Sequence, residues 1–178
     1  MKIIYLFLIL SMVYPDSTSN IFDFKSKEDT NNWYVINDGV MGGFSSSSLE
    51  IKPDGKALFK GHVTTENNGG FASVRYTFTK KEVSKFTYIV LRIKGDGKDY
   101  QFRIKEEQEQ RHSYIAPFST SGKWEVIKIP LSKFYPSFRG NTLDIPNFSG
   151  KSMEEIAFLI ANKTKEFFQL EIESISLE

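Results

Sequence analysis

The chain predicts an all-β fold, an antiparallel β-sandwich of jelly-roll type. Three observations carry this. About nine or ten short segments of alternating apolar and polar residues recur at a spacing of roughly 8–12 residues. The breaks between them are turn-forming: Asn37-Asp38-Gly39, Pro53-Asp54-Gly55 and Gly95-Asp96-Gly97. And strands never alternate with helices, which removes doubly wound and α/β-barrel folds. With 178 residues there is one domain, large enough to bury about two-thirds of its unfolded surface. Aromatic residues make up 15% of the chain, and there is no cysteine, so the core must rest on packing alone.

The elements are predicted in order as follows. Residues 1–19 have the arrangement of a secretory signal peptide: a basic start at Lys2, an apolar run from Ile3 to Val13, then Tyr14-Pro15 and small residues. The run is short of the ~20 residues that a membrane span needs, although an uncleaved anchor formed by residues 3–14 is the alternative. This reading makes the protein exported, periplasmic or secreted, with its domain at 20–178. Strands are expected at 21–24, 33–36, 49–51 and 57–63, with the serines at 45–48 as a strand edge. Others are expected at 71–78, 88–94, 100–105, 113–118 and 124–131, the last ending at an edge because of Pro130. Phe134 to Gly140 reads as an aromatic loop, and 141–150 as irregular. Ser152 followed by Glu155 fits a capping box, so a short helical turn is predicted there, ahead of a strand at 156–160. The final strand alternates Phe168, Leu170 and Ile172 with Gln169, Glu171 and Glu173, and Ile175 and Leu177 extend it.

Charge argues about partners. The 23 basic and 22 acidic residues leave a net charge of +1, and they are interleaved. Nucleic acid is not the expected partner, because that binding depends on neutralising phosphates. Catalytic signatures are missing: there is no cysteine nucleophile and no G-x-S-x-G elbow. The glycine-rich loops are not phosphate loops, since no Lys-Ser/Thr and no helix follows. No enzyme activity, metal or cofactor is expected; His62 and His112 are the only histidines and lack a carboxylate partner that could complete a metal site. A structural Ca²⁺ held by Asp38 or Asp96 has no diagnostic loop behind it.

The residues with the most to offer lie in two glycine-rich turns, N-D-G-V-M-G-G at 37–43 and E-N-N-G-G-F-A-S-V-R at 66–75. Two readings stand for them. Either the turns converge and present Asp38, Asn67, Asn68 and Arg75 to a ligand or partner, or Asp38 and the asparagines bond loop backbone and Arg75 pairs with Asp38 or Glu66. The glycines answer a need for positive φ or close approach. Arg103, Tyr114, Trp124 and Arg139 are a second candidate set, a sugar-binding face of aromatic and guanidinium groups, against which stands Trp124 as a core residue.

These two motifs occur in order with G-D-G-K-x-Y-x-F at 95–102, then Tyr114, Phe118, Trp124, Pro130, Phe134, Pro136 and Phe138-Arg139-Gly140. Together, from Phe22 to Leu177, they resemble the complex I intermediate-associated protein 30 family (the NADH:ubiquinone oxidoreductase intermediate-associated protein 30 domain). The resemblance implies a galactose-binding-domain-like sandwich akin to carbohydrate-binding modules. It also implies a non-enzymatic, chaperone-like role in assembling respiratory complex I through protein contacts. The export signal is a departure from that family, and it brings in an envelope protein or a glycan as alternative partners, an exported carbohydrate-binding module being the alternative function. Membrane contact would come only through the leader. A second departure is local: Asn162 to Phe167 lacks the glycine expected before the last strand.

Overall fold

A computed structural model describes residues 18–26 and 30–178, with the backbone alone at Val40, Met41 and Asn68. The signal-peptide or anchor expectation lies outside the described residues, apart from its last two positions. Ser19 already belongs to the first strand.

Thirteen strands are described: β1 Ser19–Asp23, β2 Trp33–Asn37, β3 Ser46–Lys52, β4 Lys56–Val63, β5 Ala72–Glu82, β6 Tyr88–Lys94, β7 Asp99–Lys105, β8 Ser113–Ser119, β9 Trp124–Pro130, β10 Tyr135–Phe138, β11 Asn141–Thr142, β12 Ser152–Ile160 and β13 Glu166–Leu177. They form two antiparallel sheets. One has the order β3-β4-β13-β6-β9, with β1 also on β13; the other runs β11-β10-β8-β7-β12-β5-β2. The predicted sandwich is therefore present, and β9 with Pro130 is an edge strand as expected.

Alternation sets the inner faces. Ile89, Leu91 and Ile93 of β6 point into the core beside Ala57 and Phe59 of β4, and Phe102 and Ile104 of β7 come from the other side. Aromatic rings join the sheets. Phe22 of β1 packs edge-on against Trp33 of β2 (5.5 Å) and against Tyr76 of β5 (4.8 Å), and Trp33 stacks on Tyr76 (4.9 Å). Deeper in, Tyr100 of β7 meets Phe168 of β13, and Phe102 meets Phe158.

Strand β13 is the spine of the first sheet. One of its edges pairs with β6 over Glu171 to Leu177. Its other edge pairs first with β4, over Glu166 to Ile172, and then with β1, over Ser174 to Leu177. The handover falls at a bulge between Ile172 and Ser174. The bulge resolves a parity change in the sequence: Phe168, Leu170 and Ile172 face inward, and so do Ile175 and Leu177. Glu173, at the bulge, is held by Lys25 Nζ (2.7 Å) and Arg92 Nε (3.0 Å).

Two local expectations are corrected. Ser152 to Glu155 form no helical turn; they open β12, which crosses the middle of its sheet between β5 and β7. Residues 156–160 are buried on both faces, and that burial overrides the local capping pattern. The aromatic segment after Phe134 is a strand, β10, because Tyr135, Pro136 and Ser137 pair with Ile115, Tyr114 and Ser113. Pro136 is tolerated there because only the two-residue β11 lies beyond.

Candidate functional site

The two glycine-rich turns do converge, and Asp38 is what they converge on. Asn37 ends β2, and Asp38 to Met41 form a single 3₁₀ turn closed by Gly42 at φ +89°. The Asp38 side chain is fully buried. Its Oδ1 accepts the Ser45 N–H (2.9 Å), and its Oδ2 accepts the Gly70 N–H (2.7 Å), the Phe71 N–H (3.3 Å) and the Ser45 hydroxyl. Ser45 Oγ accepts in turn from the Thr64 N–H (3.0 Å). Burial works to raise the Asp38 pKa. The donors from Ser45, Gly70 and Phe71 outweigh it and hold the carboxyl below the usual aspartate range.

Glycine is required around it for space. A Cβ on Gly43 would lie 2.4 Å from the Asp38 carboxylate, and one on Gly69 would lie 2.6 Å from it. Neither glycine has positive φ, whereas Gly42 and Gly70 do, with open space around them. The geometry of Asp38 fits the structural one of its two readings: its two oxygens accept four hydrogen bonds, all from loop backbone and Ser45. Asn67 sits exposed at φ +52°, on the 3₁₀ turn Glu66–Asn68. The Asn68 side chain lies outside the described residues.

Arg75 pairs with neither Asp38 nor Glu66, contrary to expectation. On β5 it points to the outer face of the seven-stranded sheet, and its Nη1 donates to Glu155 Oε1 of β12 (3.2 Å). Glu155 is buried and also receives the Tyr34 hydroxyl (3.0 Å) and Lys105 Nζ (3.6 Å). Desolvation, then the charge and hydrogen bond of Glu155, push the Tyr34 hydroxyl up to about 12. Cross-strand registers put Tyr34, Arg75, Ala157, Arg103, Ile115 and Tyr135 in one row across β2, β5, β12, β7, β8 and β10. In the next row Ser73 and Gln101 flank Leu159. Arg103 donates to Gln101 Oε1 from Nε (3.1 Å) and Nη2 (2.7 Å). Desolvation and the charge of Arg75 lower its pKa to about 10, against a smaller opposing effect of Tyr135.

The second candidate set is not brought together. Tyr114 is in the core, against Phe148 (5.5 Å). Trp124 is neither core nor near Arg103: it lies half-buried on the outer face of the other sheet, beneath Lys56 (5.4 Å) and Arg92 (6.0 Å). Arg139 turns the chain between β10 and β11 at φ +50° and lies over the Phe138 ring. Only Arg103 shares a face with Arg75. Glu155, Tyr34 and Gln101 went unnoticed in the sequence; the one legible signal was their outward parity on alternating strands. Among the described residues no three His, Asp or Glu side chains are grouped to hold a metal ion. Asp96 is taken up by Tyr100 Oη (2.9 Å), Lys98 Nζ (2.9 Å) and the Gln169 N–H (3.0 Å).

Two antiparallel sheets, with a buried carboxylate tying the loops at one end, make a β-sandwich of galactose-binding-like architecture. Solved structures share this architecture. The family 11 carbohydrate-binding module of a Clostridium thermocellum cellulosomal cellulase has a TM-score of 0.66 at 20% identity, over 90% of this chain and 94% of that one. An agarase, with a TM-score of 0.59 at 12% identity, matches 90% of this chain through 24% of its own. These likenesses show the fold alone. The sequence is more specific: residues 22–172 match the family described as complex I intermediate-associated protein 30, and the chain belongs to that family.

Relatives include the mitochondrial complex I intermediate-associated protein 30 of Mus musculus, 28% identical over 94% of this chain and 58% of the mouse protein. That of Drosophila melanogaster is 26% identical over 73% of this chain and 51% of the fly protein. The chain spans about half the length of the curated relatives it matches. These relatives overturn the expected export. They are named mitochondrial, so the apolar N-terminal run does not make this protein periplasmic or secreted. Among the described residues no helix is long and apolar enough to cross a membrane.

Proposed function

We propose that this chain is a non-enzymatic assembly factor of mitochondrial respiratory complex I, acting by binding protein subunits or intermediates. The observation that carries the reading is the family match over residues 22–172, together with relatives named for their association with complex I intermediates. The state of Asp38 fits this role. The most promising acid in the sequence is fully buried and holds two loops together.

Depletion of the protein from the cells that make it, followed by native gels of mitochondrial membranes, tests the proposal. Loss of assembled complex I, accumulation of its subcomplexes and co-migration of the tagged protein with them are expected. Normal complex I after depletion, or a tagged protein located outside mitochondria, would overturn it. Glycan binding by the purified domain with complex I unaffected would move the function to a carbohydrate-binding module.

A further inference from the structure

The outer face of the seven-stranded sheet holds an imbalance. Its central rows carry three cations, Arg75, Arg103 and Lys105, and one carboxylate, Glu155. Glu155 is shared by Arg75 and Lys105, while Arg103 reaches only the neutral oxygen of Gln101. Two polar atoms beside them are buried and have no hydrogen-bond partner, Arg75 Nε and Ser73 Oγ. Buried donors in this condition are rare in folded proteins, and each carries a desolvation cost. A desolvated cation without a counter-ion is costlier still.

The shape matches the charge. Ala157 is the cross-strand partner of both Arg75 and Arg103 and is itself covered, so the two arginine side chains close over one small residue and stand side by side. Strands lie about 4.8 Å apart, which puts the two arginine backbones roughly 10 Å from each other with one small residue between them. A pair of guanidinium groups set in this way can be bridged from outside by one carboxylate, whose two oxygens suit guanidinium forks. Tyr34 and Tyr135 stand at the ends of the row. Arginine and tyrosine around a desolvated centre are the residues that dominate protein–protein hot spots.

We propose that this row is a docking site for an acidic side chain, an Asp or Glu presented by a partner protein between Arg75 and Arg103. The proposal rests on the protein-contact reading above and names the chemistry of the partner.

The test uses purified protein and three probes: an end-capped nonapeptide with alternating Glu, its Gln counterpart, and oligogalacturonate. The Glu peptide should bind at least about tenfold more tightly than the Gln peptide, since charge-assisted forks are the stronger bonds. It should weaken with added salt and lose about tenfold in Arg75→Gln or Arg103→Gln. Nitrogen-15 signals of Arg75 and Arg103 Nε should shift on titration. Arg103→Met serves as the folding control: it should abolish peptide binding while unfolding at the same or a higher temperature, because it removes an unmatched buried charge. Equal affinity for the Glu and Gln peptides, binding untouched by the arginine substitutions, or binding of oligogalacturonate alone would each overturn the proposal. A defect in complex I after depletion without any peptide binding would sink this site and leave the assembly role standing.

Discussion

Asp38 shows how one side chain can set the shape of a domain's end. Its carboxylate accepts from two separate loops, 32 residues apart in the case of Gly70, and so replaces the backbone ladder that neither loop can form. Asp38→Asn keeps the volume but turns one acceptor into a donor aimed at other donors. We expect it to destabilise by roughly 2–4 kcal/mol in urea unfolding with an unchanged m value. Gly43→Ala should act in the same direction through the Cβ clash. The carboxyl also carries a pH signature. Its folded pKa lies below the unfolded one, so its contribution is complete above the ordinary value of about 3.9 and drains away as pH falls through the folded value. The stability gap between wild type and Asp38→Asn should therefore be flat from neutral pH down to about pH 5 and shrink at lower pH. A gap that stays constant into strong acid would show that folding leaves the Asp38 pKa unchanged, and one that widens there would show a carboxyl held neutral in the fold.

At the scale of elements, strands with clean alternation were legible, because period two with one buried face has a single solution. Thus β6 and β7 fall where expected. Three features were not legible, and each has a physical reason. The Ser152-to-Glu155 pattern is a local signal, overruled by a strand buried between β5 and β7. Pro136 disguised β10; its missing N–H is harmless because the neighbouring β11 pairs only with Ser137 and Phe138. The Arg75–Glu155 pair joins residues 80 apart, and no spacing rule reaches that far. The converging loops could be guessed from their glycines, but the choice between holding a ligand and holding each other depended on distances. The missing glycine before the last strand also has its answer. Lys163, in the β12–β13 connection, takes φ +57° itself. A left-handed lysine costs on the order of 1 kcal/mol, so Lys163→Gly should raise stability by somewhat less than that. No gain in the midpoint of thermal unfolding would count against strain at this turn.

For the molecule as a whole, the family match and the sandwich architecture cover nearly the same residues. A sandwich shared with carbohydrate-binding modules carries, on its outer face, a row rich in guanidinium groups around Ala157, and the aromatic Trp124 lies on the opposite sheet. The same scaffold can therefore serve different partners by changing which side chains stand on its outward parity. The apolar N-terminal run misled the reading of location because its composition says nothing about the compartments that relatives occupy.

The pairing of β1 with β13 sets Ser19 opposite Leu177, so the first and last strands of the sandwich are neighbours in one ladder. The order in which the chain visits its strands is then a matter of where the covalent thread is cut. A circular permutant that joins Glu178 to Ser19 through a short Gly-Ser linker, with new ends at Asp54 and Gly55, keeps both sheets and the Asp38 contacts intact. It should fold cooperatively and retain its far-ultraviolet circular dichroism. A permutant that failed to fold would mean that β1 must be threaded first, and that the route to this fold, beyond its final contacts, constrains the family's sequence.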